Sequence, residues 1–243
     1  MSRERWFFVG DVLHEWPAEP LKPITIVLEA GEAHHLVHVL RLTVGAIVTV
    51  FDGRGHAAEA RITRVGADGA ELELATARPP RESPLGLTLA VAVPKGDKMS
   101  GIVQKLTELG VAAIHPLVTD RGEVDETAMR KKLERWRRVA LEAAKQCGRA
   151  RVPHIEEPST FDELARPGGL ILTPGADPIP PDIAPGPILT GLIGPEGGWS
   201  EEELGIARER SLRTFSLGTR ILRTETAAIA VATLLQWRAG DLG

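Results

Sequence analysis

Two glycine-rich turns, each between an apolar run and a helix-like segment, hold the residues of this 243-residue sequence best placed to do chemistry. The first is Leu192-Ile193-Gly194-Pro195-Glu196-Gly197-Gly198-Trp199-Ser200. It follows an apolar strand, where open α/β sheets bind ligands. Its glycines permit close backbone approach, and Pro195 and Glu196 fix a loop that offers backbone donors and acceptors to a small ligand. No Lys-Ser/Thr pair follows, so it is not a phosphate-binding loop, and the spacing is not that of a dinucleotide fingerprint. A purely structural turn is the competing reading. Trp199 either packs under the loop or stacks on a base, and packing is the expectation.

The second turn runs from Ser216 to Ala228 and sets Arg220 and Arg223 beside Ile221 and Leu222. An arginine among apolar residues at a helix start is a fixed cation suited to a phosphate or an anionic transition state. An ordinary surface ion pair is the alternative for either one. Glu225 either joins the site or only favours the helix dipole.

The elements around these turns change character near residue 80. From Trp6 to Leu74 short β-rich segments dominate, with a hairpin signal at Asp52-Gly53-Arg54-Gly55. GEAHHLVHVLRLTVG reads as a short amphipathic helix with Leu36, Val39 and Leu40 on one face. These suggest a small β-barrel domain over residues 1–76, followed by the proline-rich linker RPPRESPLG. Residues 84–243 then alternate strands and helices, which argues a mostly parallel α/β sheet. Strands are expected at LTLAVAVPK, VAAIHPLV, GLILT, PILTGLIG and TFSLG. Asp97 is placed to cap a helix that ends at Gly110. One long helix is expected from Thr127 to Cys147, with Leu133, Trp136, Val139, Ala140, Ala143 and Cys147 on one stripe and Gly148 closing it. Ser200 and Glu203 form a capping box, and Thr224 starts the last helix.

Composition narrows the function classes. A single cysteine, Cys147, excludes a disulfide framework and fits a cytoplasmic protein. No secretory signal and no membrane span are expected. His34, His35 and His38 lack an HExxH pattern or carboxylate partners, so no metal is expected. The net charge of −4 hides a concentration of basic residues: residues 130–151 carry nine basic and two acidic groups. With so few acidic neighbours in sequence, that segment reads as a polyanion-binding surface more readily than as a solvated helix face.

Several of these motifs together, in order, resemble the ribosomal RNA small subunit methyltransferase E family of the SPOUT superfamily. IGPEGG before a serine-capped acidic helix and LGTRILRTETAA are the most specific. HHLVHVLR and VFDGRGH resemble the family's N-terminal PUA-like RNA-binding domain. KGDKM with QKLTELGV is similar to the start of its catalytic domain, and KKLERWRRVALEAAKQCGRARVP to its basic helix and turn.

The resemblance implies a PUA-like β-barrel followed by a SPOUT α/β domain with a deep trefoil knot. It implies methylation of N3 of a uridine in 16S ribosomal RNA, with S-adenosylmethionine as cofactor. The same donor site also serves ribose 2′-O-methyltransferases, and a non-catalytic assembly protein with a vestigial pocket is a third reading. The knot loops correspond to three turns. Leu172, Thr173 and Pro174 come from the first of the three, LTPGADPIP; Ile193, Gly194, Pro195, Glu196 and Gly197 come from the IGPEGG turn, the second of the three. The third supplies Leu217, Gly218, Ile221, Leu222, Arg223 and Thr226. Arg223 is expected to stabilise the anion formed as the N3 proton leaves, and Glu196 or Glu225 to orient the base or take the proton. Expected RNA contacts are Arg5, Arg41, Lys95, Lys98 and Gln104, together with Arg135, Arg138, Lys145, Arg149 and Arg151. A homodimer is implied, acting on the small subunit or a late assembly particle.

Overall fold

The computed structural model describes residues 4–13, 24–66, 69–79, 81–179 and 188–243. Pro80 of the linker and Pro180 of LTPGADPIP lie outside these residues. Two compact units form: Met1–Glu82 with Ala144–Val152, and Ser83–Ala143 with Pro153–Gly243.

The first unit contains β1 (Trp6–Phe8), β2 (Thr25–Val27), α1 (Ala30–His34), β3 (Ile47–Phe51), β4 (Ala57–Gly66) and β5 (Gly69–Arg78). They make a five-stranded sheet in the order β1-β3-β4-β5-β2, with only β1 and β3 parallel. Alternation in β5 explains the facing: Ala70, Leu72 and Leu74 enter a core with Phe7, Leu36, Val50 and Ile62. The amphipathic helix is interrupted, because α1 passes into a single π turn, His35–Val39. There the Leu40 amide donates to the His35 carbonyl at 2.9 Å. The wider turn shifts the helical phase, so Leu36 is buried as expected while Val39 is exposed.

The hairpin between β3 and β4 is built on Asp52, which is buried. Its carboxylate accepts from the Arg54 and His56 amides at 2.8 and 3.0 Å and meets the His56 ring at 2.6 Å. Burial opposes the charge, but these hydrogen bonds outweigh it and hold the carboxyl below the usual 3.8. A depressed carboxylate stabilises the fold above the unfolded value, and that contribution disappears as pH falls through the lower folded one. Asp52→Ala should therefore cost about 1–3 kcal/mol at neutral pH, since two amides lose their acceptor. The gap from the parent should narrow below about pH 3.8. Urea melts at pH 7 and pH 3 check both; a gap that is constant with pH would rule out the charged carboxylate as its source.

The second unit contains β6 (Gly86–Ala92), α2 (Lys98–Glu108), β7 (Ala113–Val118), α3 (Glu126–Arg130), most of α4 (Leu133–Cys147), β8 (His154–Ile155), β9 (Ser159–Thr160) and α5 (Phe161–Leu164). It continues with β10 (Leu170–Leu172), β11 (Ile188–Ile193), α6 (Glu201–Glu209), β12 (Arg213–Phe215) and α7 (Thr224–Ala239). The sheet order is β12-β10-β11-β6-β7-β8, with β9 also on β7, and every pair is parallel. The near-continuous burial of β6 fits a strand covered on both faces. No helix among the described residues is long and apolar enough to cross a membrane.

Three local expectations are corrected. The single long helix is two, α3 and α4, separated by a turn at Lys131 and Lys132. Cys147, placed on the apolar stripe, is exposed at the end of α4. Asp97 stands at the start of α2 but makes no side-chain bond to its backbone; its carboxylate is taken by the Ser100 hydroxyl at 2.9 Å and by Arg135.

Candidate active site at the carboxyl ends of three strands

Strands β10, β11 and β12 lie side by side and end together, so the turns after them meet. Trp199 ties two of these turns. It is 6% exposed, its ring meets Phe161 edge-on at 5.1 Å, and its Nε1 donates to the Leu172 carbonyl at 2.8 Å. Packing under the loop is thus its role, and the indole fixes the end of β10. Gly194 is required beside it, because a Cβ there would lie 2.9 Å from the indole Cε2. The third turn is joined by the Thr224 hydroxyl, which donates to the Gly194 carbonyl at 3.2 Å. The Ser216 amide donates to the Asp177 carbonyl at 2.7 Å, which links the first and third turns.

The loop after β11 leads into α6 through the expected capping box. Ser200 Oγ accepts from the Glu203 amide at 3.1 Å, and Glu203 Oε2 accepts from the Ser200 amide at 2.8 Å. Glu203 Oε1 also accepts from the Asp120 amide at 3.2 Å, and the Arg121 guanidinium donates to the Gly197 carbonyl at 3.1 Å. The loop is therefore held from both sides before any ligand arrives.

Between the turns is an open, mostly apolar cleft, concave in the way that small-molecule sites are. Of the residues singled out in sequence, Leu172, Thr173, Pro174, Ile193, Gly194, Pro195 and Glu196 line it, with Leu217, Gly218, Ile221 and Leu222. Gly197, Arg223 and Thr226 do not. Arg220, which sequence offered as a fixed cation, and Trp199 line it as well, and so do Gly198, Ser216, Thr224 and Ala227, which sequence did not select as cofactor contacts. Thr224 and Ala227 are within reach of sequence reasoning: three apart at a helix start, they share one face, and Thr224 is expected there as the first residue. Thr173 Oγ1 is buried with no hydrogen-bond partner among the described residues.

A second cavity adjoins the first through Pro195, Glu196 and Thr224, and is otherwise lined by Ala92 to Lys95, Lys98 and Glu123. Lys98 Nζ stands 3.7 Å from Glu196 Oε1 and 3.5 Å from Glu225 Oε1. Glu225 lines neither cavity, and its other carboxylate oxygen is buried without a hydrogen-bond partner. Arg223 is exposed at the start of α7.

The basic segment is more neutralised than its sequence implies. Within it Arg130 pairs with Glu126 and Glu157, Arg135 with Asp97, and Arg137 with Glu134 and Glu157. In the first unit Lys145 and Arg149, 9% and 7% exposed, pair with Glu32 at 2.7 Å and Glu82 at 3.0 Å. Of the remaining expected RNA contacts, Lys95 pairs with Glu123 at 2.6 Å and Gln104 bonds Glu108 at 3.1 Å. Arg5, Arg41, Arg138 and Arg151 are exposed. No group of three metal-ligating side chains occurs among the described residues.

Comparison with known proteins places these features in a family. A family described as an RNA methyltransferase domain matches residues 81–236, and an RNA methyltransferase PUA domain matches residues 28–75. The ribosomal RNA small subunit methyltransferase E of Synechocystis is 35% identical, covering 89% of this chain and 74% of that one. Its Bacillus subtilis counterpart is 32% identical, covering 88% and 90%. Among solved structures, the Neisseria gonorrhoeae enzyme of the same name, bound to S-adenosyl methionine, superposes with a TM-score of 0.85 at 34% identity, over 99% of this chain and 100% of that one. A putative methyltransferase from Legionella pneumophila in complex with the cofactor SAM gives 0.83 at 34% identity, with the same coverage. The N-terminal unit is accordingly PUA-like and the parallel sheet SPOUT-like. With both halves matched in order and relatives aligned over most of their length, the chain belongs to the ribosomal RNA small subunit methyltransferase E family.

Proposed function

We propose that this protein transfers a methyl group from S-adenosylmethionine to N3 of a uridine in 16S ribosomal RNA, on the small subunit or a late assembly particle in the cytoplasm. The observation that carries the reading is the apolar, glycine-walled cleft at the ends of β10, β11 and β12, opening onto a second cavity at Glu196. The residues fit the cofactor: apolar Ile193, Leu217, Ile221 and Leu222 suit an adenine ring, and the orphan Thr173 hydroxyl offers a polar partner. The loop residues Leu172, Pro174, Gly194, Pro195 and Gly218 shape the holder, while Gly197 and Thr226 stand outside its lining.

When bound, the cofactor supplies an electrophilic methyl group. The chain must align the uracil, exclude water and receive the N3 proton. Glu196 lines both cavities and is the group placed to take that proton. Arg223, exposed at the start of α7, supplies positive potential to the incoming RNA. Arg5, Arg41, Arg138 and Arg151 belong to the same RNA-facing set.

A trefoil knot at the three turns is part of the proposal. Its support is the strand order β12-β10-β11-β6, in which the last three strands of the sheet are not laid down in sequence. A homodimer is also proposed, as the family resemblance implies; light scattering of the purified chain reads its mass.

The deciding experiment incubates the chain with labelled S-adenosylmethionine and small subunits lacking the modification, followed by nucleoside mass analysis. N3-methyluridine at one site is the expected product, and label on a ribose defeats the base assignment. In the same assay Arg223→Ala should lower turnover without lowering thermal stability.

A further inference from the structure

Resting on that reading of the site, we propose that Lys98 and Glu196 together read the imide edge of the target base, with Glu225 as the residue that positions Lys98. The edge of uracil presents an N3–H donor between two carbonyl acceptors. The second cavity offers the complement: a carboxylate, Glu196, and an ammonium, Lys98, 3.7 Å apart on one wall. The N3–H donates to Glu196 while the flanking O4 carbonyl accepts from Lys98. Cytosine has an acceptor at N3 and an amino donor beside it, so it would set lone pairs against the carboxylate and a donor against the ammonium. The same pair that binds uracil therefore rejects cytosine.

Glu225 acts from behind. It lines neither cavity but lies 3.5 Å from Lys98, so it holds the ammonium at the cavity wall without touching the base. Its Oε1 faces Lys98, and its Oε2 is buried without a hydrogen-bond partner among the described residues, so Lys98 is the cation that pairs with this carboxylate.

The step balances within the proposed reaction. The N3–H bond breaks and its proton passes to Glu196. The electron pair left on N3 forms the new N–C bond, and the S–C bond of the methyl donor breaks with its pair going to sulfur. Glu196 then releases the proton to solvent. Negative charge grows on the imide carbonyls as the proton leaves, and Lys98 stabilises it there.

Lys98→Met should reduce methylation of unmodified small subunits roughly 10–100-fold, while calorimetric binding of S-adenosylhomocysteine stays at the parental affinity. Lys98→Arg should restore most of the lost rate. Subunits carrying 5-fluorouridine, whose N3–H is more acidic, should narrow the gap between Lys98→Met and the parent, an effect that a merely structural lysine would not produce. Glu225→Gln should raise KM more than it lowers kcat. A Lys98→Met enzyme as fast as the parent overturns the proposal. So does a loss that is accompanied by lost S-adenosylhomocysteine binding and left unrepaired by Lys98→Arg, or a gap that 5-fluorouridine leaves unchanged. Absence of methyl transfer by the parent chain itself defeats the functional reading, and this inference with it.

Discussion

Glu196→Gln is expected to lower methyl transfer by roughly 10²–10⁴-fold while leaving S-adenosylhomocysteine affinity nearly unchanged. The substitution keeps the size of the side chain and its place on the wall shared by the two cavities. It removes the one property that proton transfer needs, a basic oxygen beside the base. The amide also puts an NH2 group where N3–H must donate, so the loss should fall on kcat as well as on binding of the RNA. Because Lys98 sits 3.7 Å away, the variant leaves that ammonium to Glu225 alone. Single-turnover rates with excess enzyme, beside cofactor titrations, separate these effects. A Glu196→Gln enzyme that works at the parental rate would remove Glu196 from the chemistry and leave water as the proton acceptor.

Trp199→Ala should cost about 3–5 kcal/mol of stability and abolish cofactor binding together with it. The indole fills the space under the loop, packs on Phe161 and holds the Leu172 carbonyl at 2.8 Å. Removing it leaves a cavity against Gly194 and frees the last residue of β10, so two of the three turns lose their common support. Trp199→Phe separates the contributions. It retains most of the packing and loses only the hydrogen bond, for about 1–3 kcal/mol. Thermal melts with and without S-adenosylhomocysteine measure both, and a Trp199→Ala protein that melts with the parent would mean that the loop is held by Thr224 and Arg121 instead.

Much of this site was legible in the sequence because its signals are local. Strand, glycine turn and helix cap follow one another within a dozen residues at Ile193–Ser200, and the Ser200–Glu203 box is a contact between near neighbours. The same holds for the placement of β6, β7, β10, β11 and α7. What escaped were the partnerships made across long separations. Residues 130–151 look uncompensated because Glu32, Glu82, Asp97 and Glu157, which meet their cations, stand elsewhere in the chain. Lys98 was legible as a cation near the site, but nothing in its neighbourhood shows that Glu196 and Glu225 lie on either side of it. Helical phase was the other weak point. A π turn at His35–Val39 and a break at Lys131 and Lys132 each alter which residues face inward, and neither leaves a glycine or proline as its mark.

The sheet order also bears on how the chain is made. Strand β6 has β7 on one side, completed within a few tens of residues, but its other neighbour is β11, Ile188–Ile193. During synthesis the apolar segment Gly86–Ala92 must wait with one row of backbone donors and acceptors open until about a hundred further residues have left the ribosome. Such an edge invites pairing with another nascent chain. The catalytic half of this protein should accordingly be the part that most depends on chaperones, and slowing translation between residues 120 and 185 should lower its soluble yield more than slowing it in the first eighty residues.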